Sequence, residues 1–408
     1  MTANRFFSYC LHDLKLALKA NRIDLAEKDA IAGCDAAGDY YFVPVLTGGL
    51  SLQTIKYYCE DFEQNHLLGR FIDADLNDQD GNTISSGKAK LCFFCLERAA
   101  IECRRENAHE PEELRAFMFP RMDAYCRQQR EGALIKKLSS LAQQALLTEI
   151  SLTPKPGLVD KFSNGSHTDM NYQRFMNSTA AISPWFGHLV REGFAFRDQD
   201  LTRGLSIIRT IGLRMESAMY TATNNVNTQK GIIFLLGISL FACGVVYERH
   251  DQFDSNEFRT VVAGICKGIV NRELDGFAGM NPSHGEVIFH KYGHPGARGE
   301  AEGGFQSVFE YGLPQLAGII DLNKEALIKC FLAIASANED TNILFRSDAV
   351  VLNSFKQLCK YALDNFTEGN YARVIEYCKI NNISPGGSAD LLAVTIFVWL
   401  VLKNDRLE

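Results

Sequence analysis

The sequence predicts a multidomain chain in which a small α/β domain at the amino terminus is followed by a larger all-α domain. Two observations predict it. At 408 residues the chain exceeds what one hydrophobic core ordinarily supports, so two cores are expected. The pattern of apolar residues then changes near position 112: before it, short strand-like runs mix with helical spacing, and after it almost every apolar run has the helical period. The boundaries that follow are 1–130 for the α/β domain and 131–408 for the all-α domain, with the stretch 112–130 acting as a short, stiff helical connection. No internal repeat or low-complexity linker is visible.

Taken in order, residues 5–31 carry helical spacing, 40–46 and 70–75 read as strands, and Gly81 with Asn82 supplies a turn after the second strand. Helices are then expected over 112–145, with a break at Pro120, and over 172–196, 201–221, 231–247, 255–269, 324–335, 349–363, 370–378 and 388–402. Two of these runs, 231–247 and 391–402, are apolar enough to raise the question of a membrane. The first is at the short edge of spanning length and contains Gly237, Ser239 and Gly244, and the second is only about three turns long, so both read as buried core helices.

Composition narrows the function. Hydrophobic content of 46% with 22% charged residues is that of a soluble globular enzyme, and a net charge of -7 argues against nucleic acid as a partner. The 12 cysteines are spread along a chain that opens without an apolar leader, which reads as reduced thiols in the cytoplasm. Cys92, Cys95, Cys103 and His109 can be counted as a zinc set. One Cys-x-x-Cys pair with a single later cysteine and histidine matches structural zinc spacing loosely, however, so buried thiols are the reading. The stretch 75–81 hints at a calcium loop, but Leu76 holds the first ligand position and Gly87 the last, which favours a turn.

Five segments of the second half share one character, with Gly, Pro or Asn beside charged residues at the edge of an apolar helix. They are 153–170, 224–231, 284–304, 340–346 and 384–390. In the first, Pro154, Pro156 and Gly157 forbid a regular helix, while Lys155, Asp160, Asn164, His167 and Asp169 crowd charge and hydrogen-bonding groups onto irregular backbone. Asn227, Lys230 and Gly231 open the most apolar helix, where free backbone amides make either an anion site or a simple cap. Gly386, Gly387, Ser388 and Asp390 have the same build. Around Arg298, glycines let backbone approach a ligand, Glu300 and Glu302 offer a pair of carboxylates for a divalent cation, and Arg298 offers a bidentate grip on phosphate. His284 and Glu286 lie just upstream. With Asp340 and Arg346 the inventory suits a magnesium-bound nucleoside triphosphate, yet no Walker or kinase glycine loop is present.

These segments, in this order from about residue 135 onward, resemble the triphosphoribosyl-dephospho-CoA synthase family, with Gln229 and Ser347-Asp348 as departures from its pattern. The resemblance implies that ATP is joined to 3′-dephospho-CoA with release of adenine. It also implies a ribosyl transfer that needs a proton acceptor, an acid for adenine and a triphosphate clamp. Lys155, Lys230, Arg298 and Mg2+ are the expected clamp. Asp160, Asp169, Glu300, Glu302 and Asp340 are expected catalytic residues, with Glu300 and Glu302 as metal ligands. Asn164, His167, Asn227, Gly231, His284, Glu286, Arg346, Gly386, Gly387, Ser388 and Asp390 are expected at the substrates. The first domain resembles the apo-citrate lyase phosphoribosyl-dephospho-CoA transferase family through residues 65–75 and 80–114. That resemblance implies transfer of the product to a serine of the apo acyl carrier subunit of citrate lyase, with release of pyrophosphate. Arg70, Asp73, Asp75, Arg104 and Arg105 are its expected site residues. Asp73 and Asp75 are placed on one face of a strand to hold metal pyrophosphate. Two alternatives stay open: an active synthase whose first domain only docks the carrier, and a nucleotide-binding scaffold without turnover.

Overall fold

The computed structural model describes residues 2–35, 38–87, 89–275 and 284–405. The chain divides into two compact units, Met1–Ala133 and Leu134–Glu408.

The first unit opens with helix α1 (Thr2–Ala20). The helix ends well before residue 31, because the Asn21 amide turns back onto Leu18 and Arg22 takes a left-handed φ of 61°. Strands β1 (Asp24–Leu25), β2 (Ile31–Asp35), β3 (Gly38–Phe42) and β4 (Val45–Leu46) follow. They form two separate antiparallel ribbons, β1 with β4 and β2 with β3, the latter registering Ile31 opposite Phe42. Helix α2 (Leu52–Asn65) is capped by Ser51, whose hydroxyl accepts from the Thr54 amide at 3.1 Å. The periodicity of α2 is hidden in the sequence because Lys56, Glu60 and Glu63 are buried beside Ile55, Cys59 and Phe62.

The stretch 70–75 is not the strand expected from sequence. A 3-10 turn, Gly69–Phe71, leads into unpaired extended chain. Helix α3 (Ala100–Arg105) and the start of α4 (Pro111–Ser151) complete the unit. Two small cores hold it, one around Phe6, Leu68, Met122 and Tyr125, the other around Leu18, Ile23, Ile55 and Leu76. Helix α4 runs 41 residues without the break expected at Pro120. Proline removes a single amide donor there, and the Arg121 guanidinium donates to the neighbouring Phe117 carbonyl at 2.8 Å.

Among its described residues the regular elements of the second unit are all helices. After α4 come α5 (Tyr172–Ile182), α6 (Phe186–Ala195), α7 (Gly204–Thr223), α8 (Lys230–Arg249) and α9 (Ser255–Cys266). Next are α10 (His284–Tyr292), α11 (Gly296–Glu302), α12 (Leu313–Gln315), α13 (Lys324–Ala337) and α14 (Thr341–Arg346). Helices α15 (Ala349–Asp364), α16 (Glu368–Ile380) and α17 (Gly386–Lys403) end the unit. The single helix expected over 172–196 is interrupted by the 3-10 turn Ser183–Trp185, which holds Pro184. Helices α10 and α11 lie where the glycine-rich sequence reads as loop.

Helix α8 is the axis of the core and packs against α6, α7, α9 and α17. Gly193 and Gly244 let α6 and α8 touch backbone to backbone: a Cβ on Gly193 would stand 2.1 Å from the Phe241 carbonyl oxygen, and one on Gly244 would stand 2.3 Å from that of Val190. Leu235, Leu236, Ile238, Leu240 and Phe241 of α8 are fully enclosed, and burial of each such side chain contributes about 1.5–3 kcal/mol. Helices α8 and α17 are long and apolar enough to cross a membrane, and both lie mostly inside the unit.

Candidate active site

Helices α8 and α17 both begin at one cavity of about 560 Å³. Each of the five segments singled out in the sequence contributes to its wall, among them Lys155, Lys230, Glu300, Arg346, Gly387 and Asp390. A slightly larger hollow of about 620 Å³, between α4 and residues 322–327, carries a single charged side chain, Lys324.

Two buried aspartates brace the wall from behind. One oxygen of Asp160 accepts from the Lys155 amide at 3.0 Å and the other from the Phe162 and Ser163 amides at 2.8 and 2.9 Å, which closes the 155–163 loop. Gly157, with φ of 63°, ties that loop to the start of α17, since a Cβ there would stand 2.1 Å from the Ile383 carbonyl oxygen. Asp340 caps α14 through the Asn342 amide at 3.0 Å and accepts from the Ser388 amide at 2.7 Å and hydroxyl at 2.9 Å. Burial pushes its carboxyl up from the ordinary range. Neither Asp160, Asp340 nor Ser388 lines the cavity.

At the start of α8 the wall gathers amides, a hydroxyl and cations. The first intrahelical bond of α8 runs from the Ile233 amide to the Gln229 carbonyl at 2.9 Å, so the Gly231 and Ile232 amides on the wall precede it. Asn227 accepts from the Lys230 amide at 3.1 Å. Thr228 Oγ1 is buried with no hydrogen-bond partner, alone in this among the described side chains. Gln229 is fixed beneath by the α5 hydroxyls, its amide donating to Thr179 Oγ1 at 3.1 Å and its oxygen accepting from Ser178. Lys230 pairs with Glu216 at 3.2 Å, and buried Lys155 with Glu149 at 2.7 Å. Arg346 donates to the Ser166 carbonyl at 2.7 Å and to His167 Nδ1 at 3.1 Å. Because Nδ1 accepts, Nε2 of His167 carries the proton and donates to Ser384 Oγ at 2.8 Å. Burial and the Arg346 charge hold His167 down to about 4, so the ring is neutral at neutral pH.

The same wall carries two carboxyls, Asp390 and Glu300. Gly231 lies against Asp390, and a Cβ at 231 would stand 2.0 Å from Asp390 Oδ2. Burial, with the charges of Glu149 and Asp340 nearby, pushes the Asp390 carboxyl well above the carboxylate range. Glu300 accepts from the Ser307 amide at 3.1 Å and from its hydroxyl, and burial raises it as well.

Several expected site residues lie elsewhere. Glu300 and Glu302 do not form a metal pair, because two residues along a helix the side chains diverge. Glu302 instead accepts from the Gly268 and Val270 amides at 2.6 and 3.2 Å. Arg298 is off the cavity wall, its Nε donating to Glu273 at 2.9 Å, and buried Glu286 lies beside it. Asn164 is exposed and off the wall, while Asp169 is exposed and on it. His284 lines the cavity and stacks on Phe345, with centroids 3.5 Å apart and planes at 20°. Phe345 and Thr228 carry no charge, and sequence reasoning assigned neither of them a role.

In the first unit, Asp73 and Asp75 do not share a strand face. Lys90 holds Asp73 at 2.8 Å and Lys56 holds Asp75 at 3.1 Å, so each carboxylate is paired with its own ammonium. Lys90 also pairs with buried Glu63 at 2.8 Å, and Arg70 lies 3.8 Å from the same carboxylate. Arg104 and Arg105 are exposed in the last turn of α3. Sequence reasoning missed Lys56 and Glu63, because a charged residue on an unrecognised helix reads as solvated surface, and Lys90, which lies on irregular chain with no motif to mark it.

One cavity thus gathers amides, cations, an unpartnered hydroxyl and two carboxyls whose proton affinity is raised, a set of groups suited to group-transfer chemistry. The chain belongs to the ATP:dephospho-CoA triphosphoribosyl transferase (CitG) family, whose model matches residues 135–408, and it is a transferase. Residues 1–125 match the apo-citrate lyase phosphoribosyl-dephospho-CoA transferase (CitX) model. A probable 2-(5''-triphosphoribosyl)-3'-dephosphocoenzyme-A synthase of Pectobacterium carotovorum is 37% identical over 67% of this chain and 90% of its own length. A protein of Haemophilus influenzae named CitXG is 32% identical over 91% of this chain and 81% of its own, and the CitXG protein of Leuconostoc mesenteroides is 30% identical over 96% and 86%. No solved structure matches the chain.

Proposed function

We propose that the second unit joins ATP to 3′-dephospho-CoA, giving 2′-(5″-triphosphoribosyl)-3′-dephospho-CoA and free adenine, and that the first unit transfers this group to a serine of the apo acyl carrier subunit of citrate lyase with release of pyrophosphate. The observation that carries the reading is the orphaned Thr228 hydroxyl, buried at the start of α8 beside free amides and Lys230. A buried polar atom without a partner is costly, and a phosphate oxygen would satisfy it.

In this reading the triphosphate lies across Thr228, the Gly231 and Ile232 amides, Lys155, Lys230 and Arg346. The stacked His284 and Phe345 offer a face for adenine. The 2′-hydroxyl of dephospho-CoA attacks the anomeric carbon of the ATP ribose as the bond to adenine breaks. One proton leaves the hydroxyl and one is gained by adenine. Asp390, the carboxyl most strongly biased to keep its proton, is the acid for adenine, and Glu300, positioned by Ser307, takes the hydroxyl proton. Asp160 and Asp340 act as positioning residues through the backbone they hold. The oxygen donors on the wall fit Mg2+, which takes one or two carboxylates and completes its shell with phosphate and water. Exposed Asp169 would hold it on the triphosphate, where the ion would offset phosphate charge. In the first unit, Lys90, Arg70, Arg104 and Arg105 are the cations for the pyrophosphate leaving group. The chain acts in the cytoplasm, with neither nucleic acid nor membrane as a partner.

The test is adenine release by the purified chain given ATP and Mg2+, with and without 3′-dephospho-CoA. Release only with dephospho-CoA supports the synthase, and transfer of the product to the apo carrier then tests the first unit. ATP binding with no adenine release would contradict the synthase reading and leave the scaffold.

A further inference from the structure

The first unit brings together four side chains that the proposed function does not use. Cys92 Sγ lies 3.5 Å from His109 Nε2, Cys95 Sγ lies 3.7 Å from Cys103 Sγ, and all four ligand atoms fall within 4.8 Å of one another. A zinc tetrahedron with Zn–S of about 2.3 Å and Zn–N of about 2.0 Å has a sulfur–sulfur edge of about 3.8 Å and a sulfur–nitrogen edge of about 3.5 Å. Both measured separations match. The sulfur pair is far beyond the roughly 2.05 Å of a disulfide.

The backbone around the pair is shaped for a metal. Leu96 donates its amide to the Cys92 carbonyl at 3.0 Å and takes a left-handed φ of 59°, while the Cys92 amide donates to the Arg98 carbonyl at 2.8 Å. This knuckle directs the Glu97 and Arg98 amides at the Cys95 sulfur, where they would offset thiolate charge. Leucine disfavours positive φ, so the turn must be held from outside itself. On the other side, α3 places Cys103, and a turn that bonds the Ala108 amide to the Cys103 carbonyl at 2.9 Å returns His109 to the cluster.

The surrounding chain needs such a fastening. Among its described residues, the stretch 72–99 has no regular element beyond the isolated bridges of Asn77 with Thr83 and Leu91 with Ala99. Its buried side chains are few, Leu76 and Cys92 among them. A segment of this kind gains little from hydrophobic burial and is ordinarily stapled.

We propose that Cys92, Cys95, Cys103 and His109 bind one structural zinc ion. Four protein ligands close the tetrahedron, so no position is left for substrate. The three thiols give up their protons to solvent as the ion binds, and the histidine binds as the neutral ring. The ion would tie the chain bearing Lys90 and Leu91 to α3. That anchors the Lys90 contacts to Asp73 and Glu63 and the Arg70 bond to the Leu91 carbonyl.

The test starts from the full chain, purified without chelator and dialysed, with metal content measured by mass spectrometry. Zinc equimolar with protein is expected. Replacement by Co2+ should give the intense thiolate charge-transfer and tetrahedral bands of a sulfur-rich site. Cys95→Ala and Cys103→Ala should lose the metal, and Cys34→Ala, on exposed β2, should keep it. His109→Cys should keep cobalt with a shifted spectrum, which separates ligand loss from unfolding. Alkylation of the unaltered protein should be slowed at Cys92, Cys95 and Cys103 by zinc, but not at Cys34. Protein that is isolated without zinc and takes up neither zinc nor cobalt when reduced, or alkylation indifferent to zinc, would overturn the proposal.

Discussion

His167 makes the stability of the second unit fall in acid in a way that one substitution should remove. In the folded chain burial and Arg346 hold the ring down to about 4, against an ordinary value of 6.5. Below the unfolded value the unfolded chain binds a proton that the native chain refuses, so native stability falls as pH drops through this window and is fully recovered above it. The side chain is only 11% exposed, so solvent screening discounts the effect little. Each pH unit in the window is worth about 1.36 kcal/mol, and between about pH 7 and about pH 4.5 the loss is about 2 kcal/mol. The raised carboxyls of Asp340 and Asp390 act in the opposite sense, gaining stability as pH falls, so His167 is isolated by comparison with His167→Gln. Denaturant unfolding followed by tryptophan fluorescence is the assay, because both tryptophans, Trp185 and Trp399, belong to the second unit. The unaltered chain should lose about 2 kcal/mol more than His167→Gln over that pH span. Parallel loss in the two proteins would refute the buried, neutral ring.

Two further outcomes rest on the same cavity. Gly231→Ala should displace Asp390, because the new Cβ would stand 2.0 Å from Oδ2, and should lower adenine release at least tenfold while circular dichroism stays that of the unaltered chain. Asp390→Asn removes a carboxyl whose raised value makes it a native-state liability above its unfolded range. It should stabilise the second unit by about 0.5–2 kcal/mol in neutral-pH denaturant unfolding while abolishing turnover. A variant that is neither more stable nor inactive would mean that Asp390 is ionised and idle.

The place of the site was legible in the sequence because its wall is loop: glycine, proline and asparagine mark where helices stop, and charged residues at those stops have little structural reason to be there. Which acid does what was not legible. Asp340 and Asp390 look alike in sequence, yet Asp340 is consumed by Ser388 and Asn342 while Asp390 reaches the cavity. Glu300 and Glu302 read as a pair only while residues 293–304 read as loop, and the helical backbone of α11 sends them to opposite sides. In the first unit, α2 escaped detection because Lys56 and Glu63 are buried within ion pairs, and the stretch 70–75 pairs with no strand among the described residues. The cysteine set shows the same limit, since its spacing is loose until α3 and the turn after it bring Cys103 and His109 back to the knuckle.

In the proposed reaction the ribose of ATP is transferred with its triphosphate intact. It is tested most directly by a single-turnover reaction with 3′-dephospho-CoA, quenched and analysed by mass spectrometry for every purine and CoA product. Free adenine and triphosphoribosyl-dephospho-CoA should appear together in equal amounts, with no ADP or AMP. Adenine nucleotide products in place of free adenine would mean that the cavity transfers phosphate, and the account of Asp390 and Glu300 would fall with it.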